Sequence, residues 1–347
     1  MAEVVLITGV SRFLGSRLAA QLSSDPSIGR VIGIDTVPPR EVDRPLLGRT
    51  EFVRADIRNP LVAKVMAQAR VSVVVHAALH TSPRAAGGRV AMQEMNVIGT
   101  MQLLAACQKS DDVHRLVVRS TAGIYGCTSR DAAVFTEDMG PDTSVDDGYA
   151  KDAVEIEAYV RGFARRRPDV DVSVLRQTRI VGPTVKTALT RYLAGPLVPT
   201  SLGFDPRVQL LHEADAVESL RLATVTSRPG VVNVAADGVL ALSQVIRRAG
   251  RIRVPVTRVS SMAALLNNDG AAELVAEERR WLRFGRAVDT TALHTRFGYQ
   301  PRYTTGTAID SFAAGQRPLP HVARTGLRVG SDALRARRAR QLATPGA

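Results

Sequence analysis

Cysteine, lysine and long apolar runs are all scarce in this chain of 347 residues. Cys107 and Cys127 are the only cysteines. Two thiols in a chain this size exclude a disulfide scaffold and point to a reducing, cytoplasmic setting, where they serve as small buried hydrophobes. No uninterrupted apolar run reaches the roughly 18 residues a membrane span requires. The first apolar strand pattern begins within a few residues of Met1, so no signal peptide is expected. Lys64, Lys109, Lys151 and Lys186 are the only lysines, so the net charge of +13 rests almost wholly on arginine. The arginines are spread along the chain, and the one dense cluster, Arg335 to Arg340, lies in the tail without interleaved aromatics. That pattern argues against nucleic-acid binding; a solvated basic surface, or an anionic small substrate, accounts for the charge equally well. No close His, Cys and carboxylate spacing stands out, so no metal site is expected.

What is present is a regular alternation of apolar runs and amphipathic stretches. Val31 to Asp35, Val73 to Val75, Leu116 to Val118 and Val172 to Leu175 have the composition of buried strands. Between them, Leu61 to Ala69, Met92 to Gln108 and Val154 to Arg166 carry helical patterns, the first opened by Asn59-Pro60 with proline expected at the first helical position. This rhythm predicts an α/β fold: a doubly wound, parallel, Rossmann-type sheet with right-handed crossovers. After Ile180 glycine and proline become frequent and the rhythm loosens. The expected organisation is a Rossmann domain over 1–178, completed by 208–236 through strands at Val208–Leu211 and Val231–Val234 that return to the main sheet. A smaller C-terminal substrate lobe is expected over 179–207 and 237–317, and a basic tail over 318–347.

The sharpest local signal is the start. Val4 to Thr8 is an apolar run that breaks at Gly9, passes Val10, Ser11, Arg12, Phe13 and Leu14, and reaches Gly15 at a helix entrance. Strand, tight turn and helix in this order place backbone N–H groups around a phosphate. Arg12 stands where the middle glycine of the usual fingerprint would be. Asp35, about twenty residues on, closes the second strand; a carboxylate there accepts hydrogen bonds from an adenosine ribose and repels a 2′-phosphate, which favours NAD over NADP.

Further motifs follow in order: Asp56-Ile57-Arg58 after the third strand, His76-Ala77-Ala78 at the end of the fourth, Asn96 on the long helix, and Ser120-Thr121-Ala122-Gly123-Ile124-Tyr125-Gly126 after the fifth. Together they resemble the extended short-chain dehydrogenases/reductases of the NAD-dependent epimerase/dehydratase family, with a look similar to the UDP-glucose 4-epimerases, from about Val4 to Pro301. The resemblance implies that Asp56 holds the adenine amino group and Ile57 packs on the ring. It implies that Ala77 and Ala78 pass close to the pyrophosphate and nicotinamide half, and that Asn96 braces the strand ends. It puts Thr121 at the catalytic Ser/Thr position, where a hydroxyl bonds the reacting substrate oxygen. It also implies a homodimer built on the helices around Met92–Gln108 and Val154–Arg166.

Two departures stand out. The family pairs Tyr with Lys four residues later; Lys151 is present, but Asp147 occupies the tyrosine position. As an ordinary carboxylate, Asp147 is a weak base for an alcohol. Tyr149 is present, yet on a helix it would point about 200° away from Lys151. The second departure is Arg179, which replaces an asparagine that in sugar-nucleotide epimerases touches the substrate diphosphate. His212 and Asp215 are read as structural. The leading expectation is therefore an atypical NAD-dependent oxidoreductase of a nucleotide-sugar-like substrate. Thr121, Lys151, Asp147 and Tyr149 are its catalytic candidates, and Tyr125 and Arg179 its substrate contacts. The other expectation is a catalytically silent NAD(H)-binding sensor or assembly protein of the same fold.

Overall fold

The computed structural model of the chain describes residues 2–142, 145, 148–257, 259 and 268–316. Asp147 and the basic tail from Pro318 lie outside the described residues. The strands β1 (Glu3–Thr8), β2 (Ile28–Asp35), β3 (Glu51–Arg54), β4 (Val73–His76), β5 (Arg115–Thr121), β6 (Asp171–Gln177) and β7 (Gly230–Val234) form one sheet. Their order across it is β7-β6-β5-β4-β1-β2-β3. Every neighbouring pair is parallel. The order reverses between β1 and β4, and in open α/β sheets the ligand crevice lies outside the carboxyl ends at such a reversal.

The alternation of side chains along each strand sorts the core into two layers. Val5 and Ile7 of β1 face one layer, where they meet Leu14, Leu18 and Leu22 of α1 (Phe13–Ser23) and Leu220 of α5 (Glu213–Val225). Leu6 faces the other. There it meets Met66 of α2 (Leu61–Ala69), Leu103 of α3 (Gly99–Gln108), and Ile156 and Phe163 of α4 (Gly148–Arg166). Each fully buried aliphatic side chain of this kind contributes about 1.5–3 kcal/mol relative to exposure. A third cluster lies beyond the sheet, where Val181, Leu189, Tyr192, Trp281 and Phe312 pack together. In it the strand Leu197–Ser201 pairs in parallel with Ile252–Val256. Both cysteines are free.

Several local expectations are corrected. Val208–Leu211 does not return to the main sheet: Arg207–Val208 pairs with Leu240–Ala241, and Leu210–His212 pairs with Arg179–Val181. The stretch is a bridge between layers, because Leu210 and Val208 are drawn into the third cluster while Leu211 joins the first. Pro60 sits at the N-cap rather than inside the helix, and Asn59 Oδ1 accepts the Leu61 N–H at 2.8 Å. The helix expected to begin at Met92 begins at Arg89 and carries a π turn over Glu94–Ile98 before α3. Asn96 is fully buried in that turn and its side chain bonds outside its own helix, as described below. Inside the sheet, Arg176 of β6 and Glu157 of α4 form an ion pair at 2.8 Å, with side chains 3% and 2% exposed. Ser120 donates to the same carboxylate at 2.6 Å.

Candidate active site

The glycine turn is held by close contact. Gly9 has φ +74°, and a Cβ there would lie 2.9 Å from the Ala78 Cβ, so only glycine lets the turn rest against the loop after β4. A Cβ on Gly15 would lie 2.2 Å from the Gly9 carbonyl oxygen. No side chain caps α1, which leaves its first-turn N–H groups for a ligand. Leu14 and Gly15 are buried, and Phe13 is half-buried with the Arg17 guanidinium 5.5 Å over its ring. Ser11 ties the turn to the end of β2: its N–H donates to Asp35 Oδ2 at 3.2 Å and its hydroxyl to the Val37 carbonyl at 2.6 Å.

One crevice runs along this turn, with Gly9, Arg12, Asp35, Asp56, Ile57 and Ala78 in its wall. The sequence singled out all six. Asp35 Oδ1 accepts the Thr36 N–H at 2.8 Å, which fixes the carboxylate at the wall. The Arg58 guanidinium, 2.7 Å from Asp56, holds that carboxyl below its ordinary range. Arg12 fills the missing-glycine position with a cation. Its Nη2 donates to His80 Nδ1 at 2.8 Å, since a guanidinium only donates. Burial first, then the Arg12 charge, pushes His80 down to about 3, so this imidazole is neutral. Of the Ala77–Ala78 pair, both buried, Ala78 lines this crevice and Ala77 packs in the core.

Asn96 acts from behind. Its Oδ1 accepts the His80 N–H at 2.8 Å, and its Nδ2 donates to the His80 carbonyl at 2.9 Å and to Asp152 Oδ2 at 2.8 Å. Asp152 is fully buried and also accepts from Arg89 at 2.8 Å. The π turn is thus latched to both the loop after β4 and α4.

Beyond the end of β5, Thr121 and Arg179 stand in the wall shared by two cavities. One is also lined by Arg119, Tyr149, Gln177 and Glu278. The other is lined by Gly123, Ala150, Glu277, Trp281 and Arg286. Thr121 Oγ1 accepts the Gly123 N–H at 3.0 Å, which leaves the hydroxyl proton free to be donated. The Arg179 guanidinium lies 4.2 Å over the Trp281 ring and 3.9 Å from Glu277 Oε1. Burial pushes the Tyr149 hydroxyl well above its ordinary range.

Two candidates do not enter these cavities. Tyr125, expected at the substrate, is 2% exposed and stacked on Phe135 at 4.8 Å. Its hydroxyl donates to Asn233 at 2.7 Å and accepts from Arg176 at 2.7 Å, so it is a core group and the expected contact is corrected. Lys151 is half-buried on α4 and lines neither cavity, whereas Tyr149, two residues earlier, is buried in the wall. Asp147 lies outside the described residues. His212 caps α5, accepting the Ala214 N–H at 3.2 Å, and Asp215 accepts from the Tyr299 hydroxyl at 2.7 Å. Among the described residues, no cluster of three or more His, Cys, Asp or Glu side chains is placed to hold a metal.

The sequence reading missed His80 and the residues arriving from α6 (Ala276–Phe284), Glu277 and Trp281. A signal was available for the last two: the single tryptophan follows Glu277 by four residues, so both share one helical face.

The profile of the NAD dependent epimerase/dehydratase family matches residues 5–235. An uncharacterized protein of Mycobacterium tuberculosis (strain H37Rv) is 47% identical over 320 residues, covering 92% of this chain and 85% of the relative. A UDP-glucose 4-epimerase of Mycolicibacterium smegmatis is 28% identical over 184 residues, 51% of this chain and 56% of that one. Among solved structures, the UDP-glucose 4-epimerase of Thermotoga maritima with UDP-glucose shares the fold at a TM-score of 0.69 and 18% identity, covering 90% of this chain and 97% of its own. The UDP-glucuronic acid 4-epimerase of Bacillus cereus in complex with NAD does so at 0.67 and 17%, over 90% and 97%. The chain belongs to the NAD-dependent epimerase/dehydratase family.

Proposed function

We propose that the protein is an NAD-dependent oxidoreductase of a nucleotide-sugar substrate. The observation that carries the reading is the crevice joining the glycine turn, Asp35 and the Asp56–Ile57 pair in one wall. The donor set fits a dinucleotide. Arg12 and the uncapped start of α1 supply positive charge for a diphosphate, Asp35 accepts from the ribose hydroxyls, Asp56 accepts from the adenine amino group and Ile57 gives an apolar wall. When bound, the nicotinamide accepts a hydride from a sugar carbon and can return it. The chain's own part is to bind and orient. Thr121 donates its free proton to the reacting sugar oxygen, and Arg179, flattened on Trp281, presents its cation to the substrate diphosphate. The family resemblance makes Lys151 on α4 the candidate for the nicotinamide ribose. The segments 179–207 and 237–317 act as the substrate lobe. The two free cysteines support a cytoplasmic setting.

The relative from Mycolicibacterium smegmatis, named as a UDP-glucose 4-epimerase, supports the substrate class. The test is calorimetry with NAD, followed by a panel of UDP- and dTDP-sugars monitored by nicotinamide absorbance and product epimers. NAD is expected to bind more tightly than NADP. Asp35→Ala is expected to weaken NAD by roughly ten- to a hundredfold, the range of a lost charge-assisted hydrogen bond of about 1.5–3 kcal/mol. Absence of NAD binding overturns the reading. NAD binding without any transfer across the panel favours the silent sensor, the reading motivated by Asp147 at the tyrosine position.

A further inference from the structure

The residue at the family's tyrosine position is an aspartate, so the proton of the reacting hydroxyl needs another acceptor. The end of β5 offers a place to look. Gly123 has no side chain, and the point its Cβ would occupy lies 3.1 Å from Glu277 Oε1, 3.3 Å from Thr121 Oγ1 and 3.4 Å from the Ala150 Cβ. Both oxygens lie about 3 Å from the same point on the Gly123 backbone and line one cavity, so they are close enough to each other for one substrate oxygen in that cavity to bridge them. This is the juxtaposition an acid–base site requires: one position about 3 Å from both a hydroxyl donor and a base.

We propose that Glu277 is the catalytic acid–base of this protein, taking the proton from the substrate hydroxyl that Thr121 holds and giving it back. The inference rests on the oxidoreductase reading above and adds to it the group that moves the proton.

Three features of the chain support this. Glu277 is only 9% exposed, and its Oε1 is buried without a hydrogen bond, with the Arg179 guanidinium 3.9 Å away as its neighbouring charge. Its Oε2 is the anchored oxygen, accepting the Ala150 N–H at 3.4 Å. The backbone makes room for this carboxyl: Gly148 has φ +81°, and a Cβ there would lie 2.5 Å from Oε2. The electrostatics suit the role. Burial raises the Glu277 pKa to about 7, against the opposing pull of Arg179 and of the Tyr149 hydroxyl, while Glu278 on the same helix raises it further. Arg280 and Arg286 share the cavity wall. A carboxyl that titrates near neutrality can both accept and return a proton, which an ordinary exposed aspartate does poorly.

The step balances. In the oxidation direction the sugar O–H bond breaks and its proton forms a new O–H bond on Glu277. The C–H of the same carbon gives its hydride to an oxidised nicotinamide, and the carbonyl forms. Reduction reverses each transfer.

The test uses Glu277→Gln, which keeps shape and removes the base, in the full chain. NAD affinity by calorimetry is expected to match the parent, because Glu277 lies outside the dinucleotide crevice. Nicotinamide reduction by the active nucleotide sugar is expected to fall at least a hundredfold, and the parent's rise in rate through about pH 7 is expected to vanish. A readout independent of turnover is the infrared band of a protonated carboxyl in the unliganded protein. It is expected to titrate near neutrality in the parent and to be missing from Glu277→Gln. Gly148→Ala, which crowds the carboxyl without removing it, is expected to shift that titration. A variant with parental rate and pH profile, or a parental protein with no carboxyl band titrating near neutrality, overturns the proposal while leaving the oxidoreductase reading in place. A parental protein that binds no NAD overturns that reading first, and this one with it.

Discussion

At the residue scale, two histidines at the end of β4 show how strongly the fold fixes protonation. His76 lies between Thr8 and Thr100, with 2.8 Å contacts on Nδ1 and Nε2, and burial pushes it down to about 4. His80 is pushed down to about 3 by burial and by Arg12. Between these values and the ordinary 6.5, the unfolded chain binds protons that the native chain refuses. Stability therefore rises with pH across that window and falls on acidification through it, by at most about 1.4 kcal/mol per pH unit for each histidine. Denaturation midpoints measured from pH 7 down to pH 4 are expected to decline, and His76→Asn is expected to flatten the slope. Tyr125 gives the opposite lesson at this scale. Its motif resembles a functional turn, yet its hydroxyl is spent on Asn233 and Arg176.

Among the elements, α4 does most of the positioning. It carries Tyr149 and Ala150 into the cavities, receives the Asn96 latch through Asp152, and is tied to β6 by the buried Glu157–Arg176 pair. Arg176→Met removes the near partner and leaves buried Glu157 with the Ser120 hydroxyl and the more distant Arg161, at 3.8 Å, which costs up to about 3–5 kcal/mol. The double variant Glu157→Leu with Arg176→Met is expected to recover much of that loss, as read by denaturant titration. The strands that position the crevice were legible because each is buried on both faces and so reads as a continuous apolar run. The bridge at Val208–Leu211 reads the same way locally. Only the competition between clusters decides that it joins two small sheets instead.

At the scale of the whole molecule, Ile98, Met101 and Tyr159 leave an apolar surface on the helical layer, exposed at 44%, 40% and 40%. The homodimer implied by the family resemblance would cover it. Met101→Asp is expected to shift the protein from dimer to monomer in light scattering, while a parental protein that is monomeric at micromolar concentration refutes the pairing. The site itself is also a property of the whole. Thr121 comes from β5, Arg179 from the strand after β6 and Glu277 from α6, more than one hundred and fifty residues past Thr121.

The amino-acid order alone determined the doubly wound sheet, the glycine turn and the crevice-lining carboxylates Asp35 and Asp56. Those features depend on neighbours within a few residues: apolar alternation, a glycine that tolerates positive φ, and a carboxylate at a strand end. Tertiary structure alone decided that the Glu277–Trp281 face of Ala276–Phe284 meets Thr121, because the four-residue spacing marks a shared face but not what that face packs against. That choice follows from how α6 packs Trp281 into the third cluster and so turns Glu277 toward Thr121.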